Sequence, residues 1–277
     1  MTTVPPPSDR LFTERENFLV VLDSRNATEY RNGTMHSSVH FDLTEPIRSD
    51  KFAITMTCSV LQFQAPNSLY NVNATNNTLK VTINNGATTT YSLPYGNYNA
   101  STFITAVLSL LPAGFGMTLN ALTNKFTLTY STAFTLTGTV APVMGFDVST
   151  SLSSVSNALT MPFTCNFNGL QSFNIHFKSV VTKNIDSFNK SYSSIIQSVP
   201  VQVGSNSISY VKNADFNIVI AQETIDDVQI DLLDDSNNYL DFNNCHWNMQ
   251  LYFSVTKDTE RYKYANNFHT IMNGVYY

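Results

Sequence analysis

"HWNMQLYFSV", residues 246–255, sets Trp247, Met249, Leu251, Phe253 and Val255 on one side of an extended chain. His246, Asn248, Gln250, Tyr252 and Ser254 fall on the other side. Successive side chains of a strand point to opposite faces, so this period of two is the mark of a strand with one face in a core. A helix would scatter the same five apolar residues around its circumference. The segment is read as a β-strand, and the question becomes how much of the chain repeats its pattern.

Most of it does. "KFAITMTCSVLQFQ" (51–64) aligns Phe52, Ile54, Met56, Cys58 and Val60 on one face and stops at Pro66. "FLVVLDSR", "MHSSVHFDL", "SFNIHFKSV", "SIIQSVPVQV", "FNIVI" and "DDVQIDLL" read as further strands, as does "MPFTCNF". The composition agrees: 31 Asn, 28 Ser and 32 Thr stand against 13% charged residues. Threonine is β-branched and fits a pleat, while Asn and Ser fit turns. Helical chains of this length normally carry more Ala, Glu, Lys and Leu.

One stretch breaks the pattern. In "YSLPYGNYNASTFITAVLSLL" (91–111), Phe103, Val107 and Leu111 recur at helical spacing beside Ile104 and Leu108. Asn99 or Ser101 can cap the helix, and Pro112, Gly114 and Gly116 end it. "LKVTIN" and "TTTYSLP" precede it, and "KFTLTYS" and "FTLTG" follow. The result is a β-β-α-β-β unit over 79–146, with Asp147–Asn157 read as a long loop leaving it. With this insertion set aside, about eight to ten strands remain, enough for a two-sheet sandwich. The predicted fold class is all-β, a single jelly-roll β-sandwich carrying the insertion. The predicted organisation is a flexible arm at 1–17, a jelly-roll domain at 18–257 containing the insertion 79–146, and a tail at 258–277.

Net charge is −5, with 15 basic residues scattered along the chain, so direct nucleic-acid binding is not expected. "TTVPPPSDR" after Met1 is polar and proline-rich, unlike a signal peptide, and no apolar run is long enough for a membrane span. Synthesis in the cytoplasm, without a signal peptide, is therefore expected. Cys58, Cys165 and Cys245 cannot all pair, and Cys58 and Cys165 read as buried free thiols.

Sites of chemistry are sparse. The chain lacks GxxxxGK[ST], GxSxG, HExxH and GxGxxG. His36 and His40, if both lie on a strand, are about 13 Å apart, too far to share a metal. His176 falls on the polar face of its strand and reads as solvated, and His246 reads as a strand-start residue or an interface residue. Asp226, Asp227, Asp231, Asp234 and Asp235 lack calcium-loop spacing and read as solvated turn carboxylates. Paired carboxylates of a β-sandwich glycosidase are the remaining enzymatic alternative. No catalytic, cofactor-binding or metal-binding residue is assigned, and the chain reads as not an enzyme.

The order of motifs carries a resemblance. "LDSRNAT" (22–28), "FQAPNSLYNVNATNNTLKV" (63–81) and the helical stretch at 91–111 come first. "MGF" (144–146), "IIQSVPV" (195–201) and "IDLLDDSNNYLDFNNCHWNMQLYFSV" (230–255) follow. In this order the chain resembles the penton and related minor capsid proteins of icosahedral double-stranded DNA viruses, the virophage, Polinton-like and giant-virus lineage. The resemblance runs from Val21 to Val255. It implies a single jelly roll assembling as a homopentamer at capsid vertices, with major capsid protein capsomers and other minor capsid proteins as partners, located in the virion. The alternatives are a cementing subunit between capsomers and a receptor- or carbohydrate-binding jelly roll. On this reading the helix stiffens an inserted subdomain and is not an active site.

Overall fold

The computed structural model describes residues 13–49, 53–180, 182, 184–186, 191–201, 208–212 and 217–258. Four strands come first: β1 (Thr13–Asp23), β2 (Glu29–Tyr30), β3 (Ser38–Arg48) and β4 (Ala53–Pro66). Next are β5 (Thr78–Ile83), β6 (Thr88–Ser92), helix α1 (Ala100–Leu110), β7 (Gly116–Asn120), β8 (Lys125–Thr129) and β9 (Phe134–Thr137). A short helix α2 (Ala141–Met144), β10 (Leu152–Ser153) and β11 (Ala158–Thr160) complete that stretch. The chain continues through β12 (Ser172–Phe177), β13 (Asn184–Asp186), β14 (Ser191–Ser193) and β15 (Ile195–Pro200). It ends with β16 (Ile208–Lys212), β17 (Ile218–Ile220), β18 (Thr224–Leu233) and β19 (Asn248–Asp258).

The pairing order defines the architecture. One sheet runs β1-β19-β4-β16, with β17 following β16 along the same edge of β4. The other runs β15-β12-β18-β3-β2. Counting β16 and β17 as one interrupted strand and leaving out β2, β5–β11, β13 and β14, the first, eighth, third and sixth strands make one sheet. The fifth, fourth, seventh and second make the other, and every pairing is antiparallel. This is the double Greek-key winding of a jelly roll.

Alternation explains why the two sheets close on each other. Trp247, Met249, Leu251, Phe253 and Val255 are all buried, as the period of two requires. Met56, Cys58, Val60 and Phe63 from β4 join them. The inward rings of the two sheets meet directly: Phe63 lies 5.5 Å from Phe173, Phe253 6.2 Å from Phe177, and Trp247 6.4 Å from Phe41. Edge-on ring packing at these separations adds to the area term that drives burial.

Residues Leu69–Gln171 form a second compact unit, wider at both ends than the 79–146 span read from the sequence. The extension has clear causes. Val72 bridges Gly96 near its start, and β11 pairs with β8 near its end. Asp147–Asn157 is not a loop leaving the unit, because β10 within it pairs back onto β9. Five strands of the unit follow α1 rather than two, in sheets ordered β10-β9-β5-β6 and β11-β8-β7. "MPFTCNF" is not a strand: Pro162 supplies no N–H, and the chain is held irregularly by Phe163 N–H to Gly145 O and Cys165 N–H to Asn124 O.

Helix α1 is capped as expected. Asn99 Oδ1 accepts from Thr102 N–H, and Thr102 Oγ1 accepts from Asn99 N–H, a reciprocal capping box. Phe103 and Val107 are fully buried, and Phe103 stacks on Phe126 at 5.8 Å. Gly138, at φ +139, permits a close backbone crossing: a Cβ there would sit 2.3 Å from Thr78 O.

The arm boundary shifts too. Thr13–Asn17, read as the end of a flexible arm, is the start of β1 and pairs with Ser254–Asp258 of β19. The rest of the arm and nearly all of the tail lie outside the described residues.

Candidate functional site

The histidines and carboxylates singled out in the sequence fall at two places on the jelly-roll unit, and the structure adds a third. The first is the end where the chain leaves β1 and enters β19. His36 does not lie on a strand with His40. It adopts a left-handed conformation, φ 57, just before β3, and its ring is buried. It stacks on His246 with centroids 4.4 Å apart and planes 19° apart. His36 Nδ1 donates to the Cys245 carbonyl at 3.1 Å, since a carbonyl can only accept. Ser24 Oγ accepts from Trp247 N–H at 2.9 Å, which leaves its own hydrogen for His246 Nδ1 at 3.2 Å. Burial, and then the neighbouring His36, hold the His246 imidazole below its ordinary pKa. The two histidines are 210 positions apart in sequence, so no local signal could have paired them.

The second place is the outward face of the β15-β12-β18-β3-β2 sheet. His176, expected to be solvated, is buried there, and its Nδ1 shares a 3.2 Å hydrogen bond with Ser194 Oγ. The polar face of its strand is covered because Tyr192–Ser194 and the turn at Asn237–Tyr239 converge over it. Asp231 is likewise buried rather than solvated. It accepts from Ser38 Oγ at 2.6 Å and from Tyr239 OH at 3.3 Å, which satisfies both carboxylate oxygens. Burial and the Asp231 charge push the Tyr239 phenol up. Asp234 does serve a turn, accepting from Ser236 and Asn238 N–H at 2.8 Å each. Asp227 accepts from Ser179 Oγ and faces His40, whose other nitrogen meets Asp42. Among the described residues, no group of three or more His, Cys, Asp or Glu side chains converges as a metal site would require. A bowl of about 520 Å³ opens over His176.

The third place is the edge of the other sheet that no strand pairs among the described residues. β1 ends the β1-β19-β4-β16 order, and its outward residues Leu19 and Val21 are 56% and 64% exposed. They stand beside Tyr252 and Gln250 of β19. Val219 on β17 is also exposed. An 11-residue edge strand with outward aliphatic side chains is the kind of surface that folded monomers usually blunt with charge or proline. Leu19 and Val21 lie in the unbroken apolar run "FLVVL" (18–22), which shows neither their outward phase nor their place at an edge.

The thiols match their reading in part. All three cysteines are free. Cys58 is buried, and burial pushes its thiol far up, whereas Cys165 and Cys245 are half-buried. Among the described residues, no helix is long and apolar enough to cross a membrane.

No protein-family model matches this chain, and no curated protein does. Among solved structures, it is similar to the crystal structure of the selenomethionine-labelled mavirus penton protein, with a TM-score of 0.48 and 10% identity. That similarity covers 87% of this chain and 99% of the other.

Proposed function

We propose that this chain is a structural capsid protein, the penton subunit whose homopentamer closes the fivefold vertices of an icosahedral DNA virus. The observation that carries the reading is a complete jelly-roll winding in which, among the described residues, no strand pairs the outer side of β1, with Leu19 and Val21 exposed. A protein whose work is to pack against copies of itself needs such self-complementary surface, and contacts repeated around an axis close into a ring. The order of sequence motifs supports the same assignment. Low charge lets neighbouring copies approach without strong repulsion. Capsomers of the major capsid protein are the expected neighbours, and the virion the expected location.

Native mass spectrometry of the purified protein tests this. A closed species of about 155 kDa, five times the 30.9 kDa chain, is the expected result. Replacing Leu19 and Val21 together by Glu should shift that species toward monomer, because each outward aliphatic side chain becomes a like charge at the contact. A stable trimer, or a pentamer indifferent to the double substitution, overturns the assignment or its interface.

A further inference from the structure

The bowl over His176 has a lining that the capsid role does not use. It is lined by the buried His176 and Leu233 together with Tyr192, Ser193, Asn237 and Tyr239. Its volume, about 520 Å³, suits a ligand of one or two sugar rings. Tyr192 is 73% exposed and Tyr239 49%, so two aromatic side chains reach water beside the buried His176 and Leu233. Tyr239 is held in place, because its hydroxyl donates to the buried Asp231. A ring fixed before binding loses little freedom on binding.

A pyranose matches this lining in three respects. Its C–H face is weakly positive and apolar and can lie on the negative face of an aromatic ring. Its hydroxyls both donate and accept, as do the Asn237 amide and the Ser193 and Ser194 hydroxyls. Lys178 is the one permanently charged side chain among the described residues lining the bowl. The Asp231 oxygens below are already taken up by Ser38 and Tyr239. An exposed ammonium beside a stacking platform selects a negative group on the same ring.

We infer that the outward face of this sheet binds a saccharide, a pyranose carrying a carboxylate, stacked on Tyr192 with its carboxylate on Lys178. The inference stands apart from the pentamer, since the bowl is built within one chain. The test uses the full-length protein with 3′-sialyllactose as the probe and lactose as its neutral match, followed by saturation-transfer NMR and calorimetric titration. The expected result is saturable binding of sialyllactose with Kd below about 1 mM and at least about tenfold weaker binding of lactose. Lys178→Ala and Tyr192→Ala should each weaken binding about tenfold at an unchanged melting temperature, because both side chains are exposed. No saturation transfer to sialyllactose, equal affinity for lactose, or unchanged binding in either variant overturns the inference.

Discussion

Trp247→Phe is the substitution that probes the core most directly. The indole is fully buried between the sheets and donates from Nε1 to the His36 carbonyl at 2.7 Å. Phenylalanine keeps an aromatic ring but removes that donor, leaving a buried carbonyl without its partner, at a cost of about 1–3 kcal/mol. It also empties about 40 Å³, worth about 1 kcal/mol if the site does not collapse. The expected loss is about 2–4 kcal/mol, which for a unit of this size lowers the melting temperature by about 5–15 °C. Urea and thermal melts followed by circular dichroism would measure it. Because the His36 carbonyl is fixed by that bond, the His36–His246 stack should loosen too, visible as a changed His246 titration by NMR. A loss under about 1 kcal/mol with an unchanged His246 titration would refute the idea that this one donor organises that end of the jelly roll.

Acid should weaken the jelly roll through His246. Its folded pKa is depressed below 6.5, so the unfolded chain takes up more protons. The stabilisation is complete above the unfolded value and lost as pH falls from there toward the depressed one. Urea midpoints measured from pH 7.5 to 5 should decline, and His246→Gln should flatten that decline. In the inserted unit, Asn71 donates to the Tyr98 and Phe167 carbonyls and accepts from Tyr98 N–H. Asn71→Ala should therefore destabilise that unit by about 2–4 kcal/mol, read as earlier proteolysis within 69–171. Cys58 should resist thiol reagents until denaturation, while Cys165 and Cys245 react in the native protein, as mass-mapped labelling would show.

Alternation made the fold class readable, because a period of two survives whatever partner a strand finds. Trp247 through Val255 and Met56 through Val60 face inward as their spacing says. The capped helix was equally legible, since Asn99 and Thr102 are three residues apart and need no distant partner. Long-range effects were hidden. His176 looks solvated from its neighbours in sequence and is buried because residues distant in sequence, Ser194 among them, gather around it. Asp231 looks like a turn carboxylate, yet its donors are Ser38, far away on β3, and Tyr239. His36 would have continued β3 by pattern, but its left-handed backbone turns it back onto His246.

The position of β19 between β1 and β4 sets an order on synthesis. The last strand of the described chain is the one that joins the first to the third, so neither β1 nor β4 has that neighbour until residue 258 has emerged. From the end of β4 at Pro66 to the start of β19 at Asn248, a ribosome needs roughly 10–40 s. The inserted unit pairs only within 69–171, so it can finish folding during that interval. The β1 strand that displays Leu19 and Val21 has no described partner throughout that interval, and β4 has none until β16 emerges. Crowded expression should therefore harm this chain before it is complete more than after, and slowing translation beyond β4 should increase aggregation even though the finished protein is unchanged.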